Sequence, residues 1–147
     1  IAIVGDFDPV AVRKQLESLF TEWKSPKAYA PIGTRFTDVA ARQERFETPD
    51  KPNAVLLARH NLPLRVTDAD YPALLAANRI CGGGALKSRL GDRIRQKEGL
   101  SYGVSSGIRA DDSREGKDDA GSFSIQAIAA PQNMAKVEAA VREELAR

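Results

Sequence analysis

Within about a dozen residues the hydrophobic period of this chain switches from that of a helix to that of a strand. Leu86, Leu90 and Ile94 recur at i+4 spacing, the stripe of an amphipathic helix. Tyr102, Val104, Ser106 and Ile108 then alternate, as on one face of a strand. Between them, Gly99 suits the left-handed position that ends a helix, and Leu100 the hydrophobic contact just beyond it. A helix that runs so directly into a strand must fold back over the sheet to bury its stripe. Phe123, Ile125, Ala127 and Ala129 alternate again, so a second strand follows. The charged run from Asp111 to Asp119 reads as a solvated loop joining the two in a long hairpin.

The remaining elements extend this pattern. Residues 1 to 5 are continuously apolar and read as a buried strand. Asp8 is placed as an N-cap and Pro9 at the first helical position of a helix to about residue 23. That helix carries Val12, Leu16, Leu19, Phe20 and Trp23 on one face. Pro26, Pro31, Pro49 and Pro52 punctuate a stretch with little periodicity. Residues 53 to 62 form the next strand, which Pro63 ends, and Thr67 to Asp70 start a helix with Tyr71, Leu74, Leu75 and Asn78 on one face. Gly82, Gly83 and Gly84 stop it. A final helix opens at Pro131 with Met134, Val137, Val141 and Leu145 inside. The expected fold is α/β of the α+β kind, a mostly antiparallel sheet with helices on one face, in the order β-α-linker-β-α-α-β-β-α. The expected divisions are a strand and helix over 1–23, a linker over 24–44, and an α/β unit over 45–147. Opening inside a strand and closing inside a helix, the chain reads as a piece of a longer protein.

Composition narrows the chemistry. With 22 Lys+Arg against 20 Asp+Glu, the net charge of +2 gives no electrostatic footprint for nucleic acid. No apolar run approaches the roughly 18 to 20 residues of a membrane span. One His and one Cys cannot supply the three or four ligands of a zinc site, and a single Cys forms no intrachain disulfide. Any nucleophilic triad would have to use His60, which reads as a surface imidazole on a strand.

Phosphate and cation motifs fail on their details. Val4-Gly5-Asp6-Phe7 has Phe where a dinucleotide turn needs its second Gly. Gly82 to Ser88 has Leu86 where a phosphate loop needs Gly before Lys87, so the glycine run reads as a structural break that permits close packing. Asp68, Asp70, Asp111, Asp112, Asp118 and Asp119 do not follow the spacing of a calcium loop.

The run Ser88 to Gly103 stands apart, because it places Arg89, Arg93 and Arg95 on one helix that leads into a strand. Arg95 borders the buried stripe at Ile94, and Tyr102 follows seven residues on. A guanidinium and a phenol arriving together can hydrogen-bond a carbonyl or an oxyanion. Equally, the arginines can serve the negative end of the helix, and Tyr102 can be plain core, since it shares parity with Val104 and Ile108.

The segment Gly82-Gly83-Gly84…Ser88-Arg89-Leu90…Arg95-Gln96-Lys97-Glu98-Gly99-Leu100-Ser101-Tyr102 resembles the pitrilysin/insulinase family of zinc peptidases. The likeness extends to Val4–Asp8, Asp70–Leu74, Gly121–Phe123 and Pro131–Asn133. In that family two homologous α/β halves close around a chamber. One carries an inverted zinc motif, His-x-x-Glu-His, and the other supplies an Arg and a Tyr to the substrate. The resemblance implies that Arg95 and Tyr102 bind substrate and that Gly82, Gly83, Gly84 and Gly99 shape structural turns. Residues 1–23 would close one repeat, and the segment from 45 would begin the next. The chain departs from the zinc motif, since His60 is its only His. The resemblance therefore implies the C-terminal, non-metal part of such a peptidase, with no catalytic residue and no cofactor of its own. It would be inactive alone, with zinc in a catalytic half of the same chain or a partner subunit, and with a peptide or small protein as substrate. The same fold also serves as a non-catalytic docking subunit in processing or membrane complexes, and that alternative stands beside the first.

Overall fold

The computed structural model describes residues 1–30, 32–84, 87–113 and 118–147. Pro31 of the expected linker, Leu86 of the helical stripe and residues 114–117 of the charged loop lie outside the described residues. The chain divides into two compact units, Ile1–Ile32 and Gly33–Arg147.

The first unit contains one helix, α1 (Pro9–Phe20). Asp8 caps it as expected, its Oδ1 accepting from the amides of Val10 at 2.8 Å and Ala11 at 3.3 Å. The opening strand does not form: residues 1–4 pair with nothing, and Val4 is 99% exposed. A strand needs a neighbour to take its backbone groups, and the first unit holds no other strand among its described residues. The predicted apolar face of α1 is likewise largely uncovered, with Leu19 and Trp23 exposed and the Phe20 ring 5.6 Å from that of Trp23.

The second unit is a three-stranded antiparallel sheet, β1 (Ala54–Pro63), β2 (Ser101–Arg109) and β3 (Ala120–Ala129), in the order β1-β3-β2. β3 runs antiparallel to both neighbours, so β1 and β2 are parallel to each other with β3 inserted between them. The crossover from β1 to β2 carries α2 (Tyr71–Asn78), a π-type turn (Arg79–Gly83) and a π-helix (Gly91–Lys97). After β3, a short 3-10 turn (Pro131–Asn133) leads into α3 (Met134–Leu145). The unit is α+β as expected. In the second helix of the crossover the hydrogen bonds are wider than α-helical, as Glu98 N–H donating to Arg93 C=O at 3.0 Å illustrates.

One core holds these layers together. Leu90 and Ile94 of the crossover, Ile125, Ala127 and Ala129 of β3, and Val137, Ala140 and Val141 of α3 form a single buried cluster. Burying Leu90 and Ile94 completely contributes about 2 kcal/mol each. Close packing also explains Gly82. A Cβ there would stand 2.7 Å from the Ser106 amide and hydroxyl and 2.8 Å from a methyl of Leu90. The expected face of α2 is different in outcome: Leu74 and Leu75 remain exposed, and the helix contributes no buried residue.

Leu145 was expected inside, yet it is half exposed, and Glu144 takes the buried place at 4% exposure. The stripe Val137, Ala140, Val141 continues to position 144 on a helix, where sequence patterning cannot foresee a carboxylate. Arg89 brings it in, its Nε and Nη2 donating to Glu144 Oε2 at 3.1 and 3.0 Å and its Nη2 to the Glu144 carbonyl at 2.8 Å. Arg93 lies 3.5 Å from Oε1, and Arg147 donates to it at 3.1 Å.

The charged loop is not simply solvated. Asp118 Oδ1 accepts the Thr34 amide at 2.7 Å, and Asp119 Oδ1 accepts the Phe36 amide at 2.7 Å. Thr34 also donates its hydroxyl to Asp111 Oδ2 at 3.3 Å. Acceptors without a donor of their own thus fasten the extended stretch after residue 33 to the second unit.

Burial works to raise the Glu144 carboxyl, but the Arg89 hydrogen bonds and the charges of Arg147, Arg89 and Arg93 outweigh it and hold it below its ordinary 4.5. A carboxylate lowered on folding stabilises at neutral pH, and that contribution is lost as pH falls through the lowered value. Glu144→Gln is expected to cost about 3 kcal/mol at neutral pH, because it leaves the Arg89 guanidinium without its counter-charge, whereas Arg93 keeps Glu98 and Glu143. Denaturant unfolding at about pH 7 and about pH 3 checks this: the gap between wild type and variant should shrink at the lower pH.

Candidate functional site

The candidate site forms where the π-helix turns into β2. Ser88 starts that helical stretch, its Oγ accepting the Gly91 amide at 3.2 Å from a 6% exposed position. Ile94 on the next turn is fully buried and sets the rotation of the helix. Arg95 therefore lies at the margin of the core, half-buried, with Nη2 3.8 Å from where a Cβ on Gly91 would stand. Its guanidinium thus folds back along its own helix.

Gly99 then reverses the chain with φ +60°, the left-handed region where a side chain is strained. The Leu100 amide closes the helix end by donating to the Ile94 carbonyl at 2.9 Å. This bond spans one residue more than the corresponding α-helical cap, in keeping with the wider π winding. Asn133, from the turn before α3, donates to the Leu100 carbonyl at 3.5 Å.

Tyr102 does not follow the parity of its strand. Gly103 pairs with Ile128, Val104 with Ala127 and Ser106 with Ile125, but Ser101 pairs with Ala129. One residue is therefore extra in β2, and that residue is Tyr102. In an unbroken ladder Tyr102 would stand opposite Ala129 and point into the core. The bulge gives that inward place to Ser101, 5% exposed, and leaves Tyr102 94% exposed. The plain-core reading of Tyr102 is thus overturned by a one-residue irregularity that alternation cannot display.

Tyr102 borders a shallow depression of about 470 Å³, which Gly99, Leu100, Gly103, Ile128 and Asn133 also line. Ile128 is 42% exposed on the outer sheet face, and its cross-strand neighbour Val55 is 52% exposed. The surface beside Tyr102 is therefore apolar, with polar groups at its rim. Arg95 and Tyr102 sit on either side of the same helix-to-strand turn. Gly82, Gly83 and Gly84 lie elsewhere, at the break after α2. A Cβ on Gly83 would come within 2.6 Å of the Asn78 amide group, and one on Gly84 within 2.2 Å of the Lys87 carbonyl. These glycines serve close backbone approach.

The donors at hand do not fit a metal. His60 is exposed on β1 opposite Phe123, and Cys81 packs half-buried against the core. Among the described residues no three His, Cys, Asp or Glu side chains come together. No helix among them is long and apolar enough to cross a membrane. Sequence reasoning overlooked Ser101 and Glu144. Ser101 differs from its neighbours by no visible pattern, and Glu144 betrays itself only once Arg89 is seen across from it.

The family description "Peptidase M16 inactive domain" matches residues 1–147, and the chain belongs to that family. Among solved structures, it is similar to a peptidase M16 inactive domain from Pseudomonas fluorescens, with 28% identity and a TM-score of 0.52. The match covers 64% of this chain and 21% of that one, so the chain spans about a fifth of the length of its solved relative. No match was found among curated proteins. The family settles the resemblance noted in the sequence: this is a non-catalytic domain of a peptidase-like fold.

Gly99→Ala is expected to lower stability by about 1 kcal/mol through the cost of a left-handed side chain, with no steric clash, since nothing lies within 4 Å of its Cβ. Thermal unfolding checks it. A Tm equal to wild type would mean that the helix end re-forms without the left-handed turn.

Proposed function

We propose that this domain is the substrate-side, non-metal part of a zinc-dependent endopeptidase, binding an extended peptide while a separate catalytic half hydrolyses it. The observation that carries the reading is the exposure of Tyr102, which is 94% accessible at a bulge. The bulge turns the ring out of the sheet where regular parity would bury it, which leaves its face and its phenol open to a partner. Its phenol can donate to or accept from a peptide carbonyl or amide. Arg95, across the turn, adds a planar donor fork suited to carbonyl and carboxylate oxygens. The apolar depression beside Tyr102 suits a substrate side chain next to the bound backbone. Family membership supports the same assignment, since the domain class is a non-catalytic member of a peptidase family. The zinc, and the half that holds it, lie with another segment or subunit, because the donors here do not fit a metal.

The test is made in the protein that combines this domain with a zinc-bearing half. Tyr102→Phe removes one hydroxyl and keeps the ring, and Arg95→Lys keeps the charge and loses the fork. Each is expected to lower kcat/KM for peptide hydrolysis about tenfold, the worth of one good hydrogen bond in a desolvated site. Zinc content, read by elemental analysis, should stay at the wild-type level. An unchanged kcat/KM in both variants would overturn the assignment and favour the docking-subunit alternative. The 147-residue chain by itself is expected to retain no stoichiometric zinc after dialysis.

A further inference from the structure

Two neighbouring side chains, Ser101 and Tyr102, compete for one inward place opposite Ala129. The register decides which of them takes it, so whatever holds the bulge decides where Tyr102 points. The Ser101 hydroxyl lies where it can do so. It is 2.6 Å from the Ile128 carbonyl on β3 and 2.9 Å from the Gly103 carbonyl on β2, donating to both as a shared hydrogen bond. These two carbonyls belong to the residues that pair immediately beyond the irregularity. A bulge disrupts the ladder locally and must satisfy its backbone groups in another way. Here a buried hydroxyl supplies the donor. Ser101 is 5% exposed, so it does not reach a ligand itself, and its satisfied hydroxyl is tolerated in the core.

We infer that Ser101 is the positioning residue of this site: its hydroxyl bridges β2 and β3 across the bulge and thereby keeps Tyr102 turned outward. The inference rests on the proposed role of Tyr102 for its functional meaning, but the geometry can be tested apart from that role. Without the hydroxyl, the carbonyls of Gly103 and Ile128 lose the donor that Ser101 supplies, and the regular register gains ground. That register places Tyr102 opposite Ala129, on the inner face.

The 147-residue chain has three tyrosines, so 3-fluorotyrosine labelling gives a readable ¹⁹F spectrum, with Tyr102 identified by its loss in Tyr102→Phe. In wild type the Tyr102 fluorine should show the solvent isotope shift of a fully exposed ring. In Ser101→Ala that shift should diminish and the resonance should move or broaden, while those of Tyr29 and Tyr71 stay in place. Ser101→Thr, which keeps the hydroxyl, should restore the wild-type resonance. An unmoved Tyr102 resonance in Ser101→Ala overturns the inference. Should that variant fail to fold, Ser101→Cys, with similar volume and a weaker donor, takes its place under the same criterion. In the assembled peptidase, Ser101→Ala should lower kcat/KM, and the double variant with Tyr102→Phe should be no worse than the more damaging of the two single variants. Full additivity of the two losses would mean that Ser101 acts independently of Tyr102 and would also overturn the inference. If Tyr102→Phe leaves kcat/KM unchanged while the fluorine signal responds to Ser101, the functional reading fails and the positioning role stands.

Discussion

The burial of Leu90 and Ile94 against β3 is the contact on which the rest of the second unit depends. Both side chains are fully buried, and they meet Ile125, Ala127 and Ala129 on the inner sheet face. This contact fixes the height and rotation of the π-helix over the sheet. Only Glu98, Gly99 and Leu100 separate that helix from β2. With so short a connection, the first residues of β2 must absorb the mismatch between helix and ladder, and they do so by a bulge. The exposure of Tyr102 is thus a consequence of core packing a few residues away.

Polar groups complete what the apolar core begins. Glu144 is buried at the end of α3, and its worth lies in tying that helix to Arg89 and Arg93 of the crossover. Removing either side of such a pair costs more than the pair contributes, because the partner remains desolvated. Just before β3, Asp118 and Asp119 take up the amides of Thr34 and Phe36. Acidic side chains near a hairpin here act as backbone receptors.

Membership of the peptidase M16 inactive-domain family gives these features a common frame. A chain with one His and one Cys has too few nitrogen and sulfur donors for the zinc centre of a peptidase. What the structure shows is a phenol projecting from an edge strand beside an apolar depression, with Arg95 folded back along the preceding helix.

The sequence by itself determined the local elements whose causes are local. Asp8 and Pro9 start α1, Gly99 ends the π-helix, and the alternation Phe123, Ile125, Ala127, Ala129 places β3 with its correct face inward. The residues around that helix end left the roles of Arg95 and Tyr102 open between core and binding, and only the resemblance to a peptidase family singled them out. The tertiary structure alone decided the placement of β3 between β1 and β2, the burial of Glu144 in place of Leu145, and the exposure of Ile1–Val4. It alone decided the direction of Tyr102. The physical reason is the same in each case. Periodicity reports which face a residue prefers if its element is regular and has a partner, whereas a bulge, a charge meeting its counter-charge across the core, and a strand without a neighbour depend on residues far away in the chain.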